Sequence, residues 1–247
     1  DSASVAHDVL SGAVAAAAAA AAAAGDATLP DGHSYGHVLY MCEASGMWRE
    51  ALALLHEADQ IDSLSLQSKA SIRHSVLKAC ARESRWKEAA AICTATSSDA
   101  FAANPALARY ALLVCSRAGD ATLARSLVGS HLRERARVGD YARWLSAERN
   151  AGSPEQSDHL RAAWSLLRTS SQAPDEQCYA HMCAGLLESL TVASEAVSSA
   201  SPSAEAEALE LARDAVQALS REQASVVLMA ALGCAVNGEL PAAASEL

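Results

Sequence analysis

The sequence has few aromatic residues: it contains one Phe in 247 residues, and Phe, Trp and Tyr together make up 4% of the chain. It also lacks alternating runs of β-branched residues bounded by turn residues, so we expect no sheet. Its apolar content of 51% is instead mostly Ala, Leu and Val, and Ala is the best helix former. The sequence therefore predicts an all-α protein.

Known catalytic and metal-binding motifs are missing as well. The chain has no H-E-x-x-H, no G-x-S-x-G and no G-x-x-x-x-G-K. His33 and His37 are spaced to share one helical face, but no third ligand is apparent beside them. We therefore expect no catalytic residue, no metal site, no cofactor and no small-molecule substrate.

The cysteines are spread along the chain rather than paired as metal or disulfide ligands usually are. Their odd number and their helical setting predict buried structural thiols in a reducing compartment. The seven are Cys42, Cys80, Cys93, Cys115, Cys178, Cys183 and Cys234.

Residues 13–24 form an apolar run that is too short for a membrane span, which needs about 20 residues. We expect no membrane association. The run predicts a helix, so residues 1–29 are interpreted as an Ala-rich N-terminal capping helix and a linker.

A unit of two helices starts at Pro30 and recurs at intervals of about 35 residues, which is typical of helical-repeat proteins. In its first copy, Tyr35, Leu39 and Cys42 share one stripe of a first helix. Gly46 then predicts a helix end, and Trp48 begins a second helix. We expect Trp48 and its counterpart Trp86 to lie in the core.

Later copies repeat the same residue types at the same places. The recurring cysteines are Cys42, Cys80, Cys115 and Cys234, and the residues that follow each by four are Gly46, Ser84, Gly119 and Gly238. Six hairpins are predicted to begin near Tyr35, Arg73, Ala108, Tyr141, Tyr179 and Val227. A Ser-rich stretch near residues 191–204 is predicted to be a flexible loop.

The order P-D-x-x-x-Y, an apolar helix ending in C-x-x-x-G, and then W-x-E-A-L resembles the pentatricopeptide repeat of algal and protist organellar proteins. The resemblance covers residues 30–247. It implies a right-handed α-solenoid of about six helical hairpins. Tetratricopeptide repeats share the hairpin and are the structural alternative.

In the pentatricopeptide family, the fifth residue of each first helix and the last residue of the unit face a base of single-stranded RNA. The resemblance gives the fifth positions to His37, Ser75, Tyr110, Arg143 and His181. Only Ser75 is of the usual type, and its unit closes with Pro105, which cannot serve as its partner. The resemblance therefore implies candidate RNA-facing positions here without a base-reading code.

Net charge also argues against an RNA track along the whole chain, since the formal charge is −10 and phosphate contacts need basic side chains. Residues 109–149 are an exception, with eight Arg against four acids. This segment predicts sequence-independent RNA-backbone contact, and a solvated helix is the other interpretation. The candidate residues are Arg125, Arg133, Arg135, Arg137 and Arg143.

These features predict a non-catalytic helical-repeat scaffold, a subunit of an organellar ribonucleoprotein such as the mitochondrial ribosome. Its expected partners are other proteins of that complex and RNA through backbone contacts. The alternative is an organellar single-stranded RNA-binding factor for transcript processing, stability or translation. The resemblance implies mitochondria, with another organelle such as the plastid as the alternative.

Overall fold

The computed structural model describes residues 32–132, 135–153, 155–170, 172–196 and 202–237. All regular structure within these ranges is helical, and none of them contains a strand. The prediction of an all-α protein is confirmed. The chain divides into two compact units, Asp1–Val114 and Cys115–Leu247.

Within its described residues, 32–114, the first unit contains five complete helices and the start of a sixth. They are α1 (Gly32–Ser45), α2 (Trp48–Asp59), α3 (Leu66–Arg82), α4 (Trp86–Ala95), the short α5 (Ser98–Ala103) and α6 (Pro105–Ala118), which continues into the second unit. The first copy of the repeat supplies α1 and α2, and the second supplies α3 and α4. Predicted starts at Tyr35, Arg73 and Ala108 fall inside α1, α3 and α6.

Short polar side chains fix several helix starts. Ser65 Oγ accepts the N–H of Ser68 at 3.1 Å, which caps the start of α3. At the start of α6, Asn104 Oδ1 accepts the N–H groups of Ala106 and Leu107 at 3.1 and 3.2 Å. Proline at the first position of α6 adds a preset φ angle where no N–H is needed.

The first helices α1, α3 and α6 end with the same geometry. The residue that closes each has a positive φ: 71° at Gly46, 54° at Ser84 and 75° at Gly119. The next N–H then donates to the carbonyl of the repeated cysteine: Met47 to Cys42 at 2.9 Å, Arg85 to Cys80 at 2.8 Å, and Asp120 to Cys115 at 3.1 Å. A hydrogen bond of this kind, back to the carbonyl five residues earlier, is a common helix end that is usually closed by glycine. These three helix ends thus share one geometry at positions that the sequence aligns.

Packing in the first unit joins the first helices side by side. Leu39, Cys42, Val76, Leu77 and Cys80 are buried where α1 and α3 are in contact. Lys78 Nζ donates to Glu43 Oε2 at 2.7 Å across the same pair of helices. Within the first hairpin, the hydroxyl of Tyr35 donates to Glu57 Oε1 at 3.1 Å.

The two tryptophans lie outside the core, contrary to the prediction. Trp48 and Trp86 are half-buried, whereas Ala51 and Ala89, three residues further along each helix, are fully buried. The guanidinium of Arg85 stacks over the Trp48 ring at 4.4 Å from its centroid. The guanidinium of Arg49 also lies over this ring, at 5.0 Å, so two cations stack on Trp48.

The second unit contains the rest of α6 and a longer series of helices. These are α7 (Ala121–Ser126), which continues as a π-helical turn (Leu127–Leu132), α8 (Val138–Ala151), α9 (Gln156–Thr169), α10 (Glu176–Ala196), α11 (Pro202–Ala218) and α12 (Arg221–Asn237). Predicted starts at Tyr141, Tyr179 and Val227 fall inside α8, α10 and α12. The π turn was not predicted.

Helix α10 is the central helix of this unit, since it packs against α8, α9, α11 and α12. Gly185 lets α9 come close, because a Cβ there would lie 2.5 Å from Leu160 Cδ1. Gln156 Nε2 donates to the Gly185 carbonyl at 3.2 Å in the same contact. The core of α10 is formed by Cys178, Tyr179, Met182, Cys183, Leu186 and Leu187.

Helix occupies both ends of the Ser-rich stretch that was predicted as a loop near residues 191–204, and residues 197–201 lie outside the described residues. Helix α10 extends to Ala196, and α11 begins at Pro202. Ala and Glu within the stretch favour helix, and proline is well placed at the first position of the next one. Residues 1–31, with the Ala-rich segment, and the side chain of Cys234 lie outside the described residues.

Candidate nucleic-acid interface

The five candidate base-facing residues lie on the first helices of their copies. In the first unit they are His37 on α1, Ser75 on α3 and Tyr110 on α6; in the second unit they are Arg143 on α8 and His181 on α10. His37 is exposed and the other four are half-buried.

Tyr110 contacts another aromatic side chain of its own unit. Its ring meets His74 edge-on, with centroids 5.4 Å apart. Burial, and to a lesser degree the Glu43 carboxylate, raises the pKa of Tyr110. Burial and nearby Lys78 lower the pKa of His74. Tyr110 thus belongs to a partly desolvated aromatic pair.

His181 is also a poor phosphate ligand. Its Nδ1 is buried and has no hydrogen-bond partner among the residues that the structure describes. Burial and the positive charge of Arg149 lower the pKa of His181, although Asp175 and Glu188 oppose the shift. The imidazole is therefore neutral at neutral pH and supplies no charge to an RNA backbone.

Several arginines of residues 109–149 are engaged in ion pairs inside the second unit. Arg125 binds Glu148 through two nitrogens, and Arg143 Nη1 lies 3.4 Å from Asp140 Oδ1. Arg149 makes a two-pronged pair with Glu188, with both distances at 2.7 Å. Three of the eight arginines of this segment are thus paired with carboxylates.

Two candidate arginines remain at the surface. Arg135 and Arg137 are exposed at the turn before α8. The N–H of Arg137 donates to Asp140 Oδ2 at 3.0 Å, which holds the backbone at the start of the helix. Arg133 lies outside the described residues. Arg117 on α6 is exposed as well, so the Arg135–Arg137 turn is one of the basic surfaces of this segment.

Sequence reasoning missed the most unusual side chain of this region, the fully buried carboxylate of Glu148. Trp144 Nε1 donates to Glu148 Oε1 at 2.8 Å, and Arg125 Nη2 donates to the same oxygen at 3.1 Å. Its side chain is 0% exposed. Gly152, with φ 59°, follows Glu148 by four residues as Gly46 follows Cys42, so Glu148 replaces the repeated cysteine in the fourth copy. That spacing from Tyr141 could have identified it.

A histidine completes this buried group. His159 Nδ1, on α9, lies 3.5 Å from Glu148 Oε2, and its Nε2 lies 3.8 Å from Glu155 Oε2. Glu148 thereby joins side chains of α7, α8 and α9. Such an arrangement fixes these helices relative to one another.

The buried thiols have little nucleophilic character. Burial raises the pKa of Cys42 and of Cys80 to about 11, and that of Cys183 to about 12. Protonated thiols are weak nucleophiles and weak metal ligands. Within the described ranges, no three His, Cys, Asp or Glu side chains come together in a way that could hold a metal ion.

None of the described helices is both long and apolar enough to cross a membrane. No protein-family model matches the chain, and the search of curated proteins found no match.

Proposed function

We propose that this chain is a right-handed α-solenoid of about six pentatricopeptide-like hairpins that acts as a non-catalytic scaffold. The observation that supports it is the repeated helix end at Cys42, Cys80 and Cys115, because a helix end kept at repeat spacing is expected when each hairpin stacks on the next. Tetratricopeptide-like stacking is the alternative for the same hairpins.

The scaffold is proposed to belong to an organellar ribonucleoprotein such as the mitochondrial ribosome. Compensation of Arg125, Arg143 and Arg149 by carboxylates supports protein contacts as the main source of binding. The exposed turn at Arg135 and Arg137 is proposed to touch RNA through phosphates, which carry no base identity. The organellar location rests on the family resemblance.

The second candidate function is an organellar RNA-binding factor that acts on single-stranded transcripts. The exposure of His37 favours it, because that residue is open to solvent at a position that faces a base in the pentatricopeptide family. In this function, side chains of the first helices would contact the bases of the RNA directly.

Sedimentation of the native complex tests the scaffold proposal. Mitochondria from cells that express the tagged full chain would be lysed and separated on a sucrose gradient at moderate salt. We expect the chain to migrate with a ribosomal subunit and to remain with ribosomal proteins after limited RNase treatment. Migration as a free protein, or release of the chain together with transcript fragments, would support the RNA-binding factor instead.

A further inference from the structure

The first unit has an apolar cleft between its two second helices, α2 and α4. The cleft has a volume of about 360 Å³. Its walls include Leu52 and Leu55 from α2 and Ala91 and Ile92 from α4. This volume lies within the range of about 300–1,000 Å³ in which proteins bind ligand groups.

Carboxylates outnumber cations in the lining of the cleft. Asp59 and Glu88 line it together with a single cation, Arg73. Arg73 Nη2 donates to Asp59 Oδ1 at 2.7 Å, and Arg85 pairs with Glu88 Oε1. A carboxylate can accept several hydrogen bonds, so each of these groups keeps capacity for a further donor.

Charge is also unevenly distributed between the first helices of the hairpins in this unit, α1 and α3, and the second helices, α2 and α4. Helices α1 and α3 carry one acid, Glu43, and four bases, Lys69, Arg73, Lys78 and Arg82. Helices α2 and α4, which form the cleft, carry four acids, Glu50, Glu57, Asp59 and Glu88, and two bases, Arg49 and Lys87. Acidic side chains are thus concentrated on the pair of helices that holds the apolar cleft.

We propose that this cleft docks a basic amphipathic helix of a partner protein. The helix inserts a leucine-like side chain between Leu52 and Ile92 and places a lysine or arginine beside Asp59 and Glu88. Helix-in-groove recognition uses apolar anchors at i, i+3, i+4 and i+7. The acidic residues beside the cleft favour a partner helix with basic residues next to those anchors. This inference rests on the proposed scaffold function and names the kind of protein segment that the scaffold would bind.

A designed peptide tests the cleft directly. The probe is an 18-residue labelled helix with Leu at the anchor positions and Lys elsewhere, and the matched control replaces every Lys by Glu. Binding to the full chain is measured by fluorescence anisotropy at low and moderate salt. We expect the Lys peptide to bind at least tenfold more tightly than the Glu peptide, with an advantage that shrinks as salt rises.

Replacement of two alanines by phenylalanine, one at a time, tests whether the peptide binds in the cleft. Ala91→Phe fills the cleft from an exposed position, and Ala53→Phe adds the same ring at an exposed position of α2 outside the lining. We expect Ala91→Phe to weaken Lys-peptide binding at least tenfold and Ala53→Phe to change it less than twofold, with helical circular dichroism unchanged in both. Equal binding of the two variants, equal binding of the two peptides, or absence of Lys-peptide binding would overturn the proposal.

Sedimentation separates this inference from the proposed function. If the Ala91→Phe chain still migrates with the ribosomal subunit while the peptide results fail, the cleft proposal is wrong and the scaffold proposal stands. If the parent chain binds the Lys peptide but migrates free of ribosomal particles, the scaffold location is wrong and the docking site stands.

Discussion

Glu148 illustrates how one buried charge can organise its surroundings. Removing a carboxylate from water is costly unless hydrogen bonds and an opposite charge compensate it. Here Arg125 supplies the charge, and Trp144 supplies a donor whose own burial also requires a partner. In three other copies the same place is held by a buried cysteine, which needs neither, so Glu148 depends on residues that the other copies do not share.

Removing the cation should therefore be costly. Arg125→Ala leaves a buried carboxylate without its counter-ion, and we expect the free energy of unfolding to fall by about 3 kcal/mol. This value is at the lower end of the range for buried ion pairs, because Arg125 is partly exposed. Glu148→Gln in the same background should restore part of the loss, because it removes the unpaired charge and keeps an oxygen acceptor for Trp144. Urea titration measures both.

Lys78→Ala is the matched control, since it breaks the more exposed pair with Glu43 and should cost at most about 1 kcal/mol. A cost for Arg125→Ala no larger than this control would show that Glu148 is not stabilised by its partner.

Histidine burial predicts how stability depends on pH. The pKa of His181 is lowered in the folded protein by burial and by Arg149, so the unfolded chain binds a proton at a higher pH than the folded one. Stability is then highest above the unfolded pKa, about 6.5, and falls as pH drops through that value towards the lower folded pKa.

His181→Gln should reduce this loss. Thermal unfolding of the parent protein and this variant between pH 7.5 and 5.5 measures the effect. Equal pH dependence of the parent and His181→Gln would contradict the assignment.

At the scale of helices, the ends of α6 and α8 offer a comparison between two left-handed glycines. Gly119 has φ 75°, and a Cβ there would lie 2.8 Å from the carbonyl oxygen of Asn150. Gly152 has φ 59°, and nothing among the described residues lies within 4 Å of the same added atom. Backbone strain acts at both positions, but a close contact with a neighbouring helix end acts only at Gly119.

Alanine substitutions should separate these two effects. Gly152→Ala is expected to cost about 1 kcal/mol from the left-handed conformation alone. Gly119→Ala should cost about 2–4 kcal/mol, because overpacking against a backbone carbonyl is added to the same strain. Urea titrations of the two variants decide the point, and equal costs would show that the approach of Asn150 does not contribute.

Across the whole chain, the sequence predicts features that repeat locally and misses those that depend on distant partners. The Cys42 and Cys80 helix ends follow from spacing alone, and so do the first helices that contain Tyr141 and Tyr179. The half-burial of Trp48 could not be foreseen, because its cover, Arg85, comes from the next hairpin.

The pairing of charges in the candidate site could not be predicted for the same reason. Arg125, Arg143 and Arg149 belong to a basic segment in the sequence, but their carboxylate partners become apparent only once the helices pack. Glu148 was counted only as one of four acids in that segment, although its spacing from Tyr141 equals that of Cys42 from Tyr35. Charge counts along a chain do not reveal which charges pair across helices.

Selection from a random single-stranded RNA pool tests the central claim most directly. The full chain is equilibrated with the pool near physiological salt, and the bound RNA is sequenced beside that of Arg135→Ala/Arg137→Ala. The account predicts weak binding with no enriched sequence, and a uniform loss with a shallower salt dependence in the double variant, because phosphate contacts carry no base identity. Strong enrichment of one short sequence, abolished by changing His37, Ser75 or His181, would contradict the scaffold and support a base-reading RNA-binding factor.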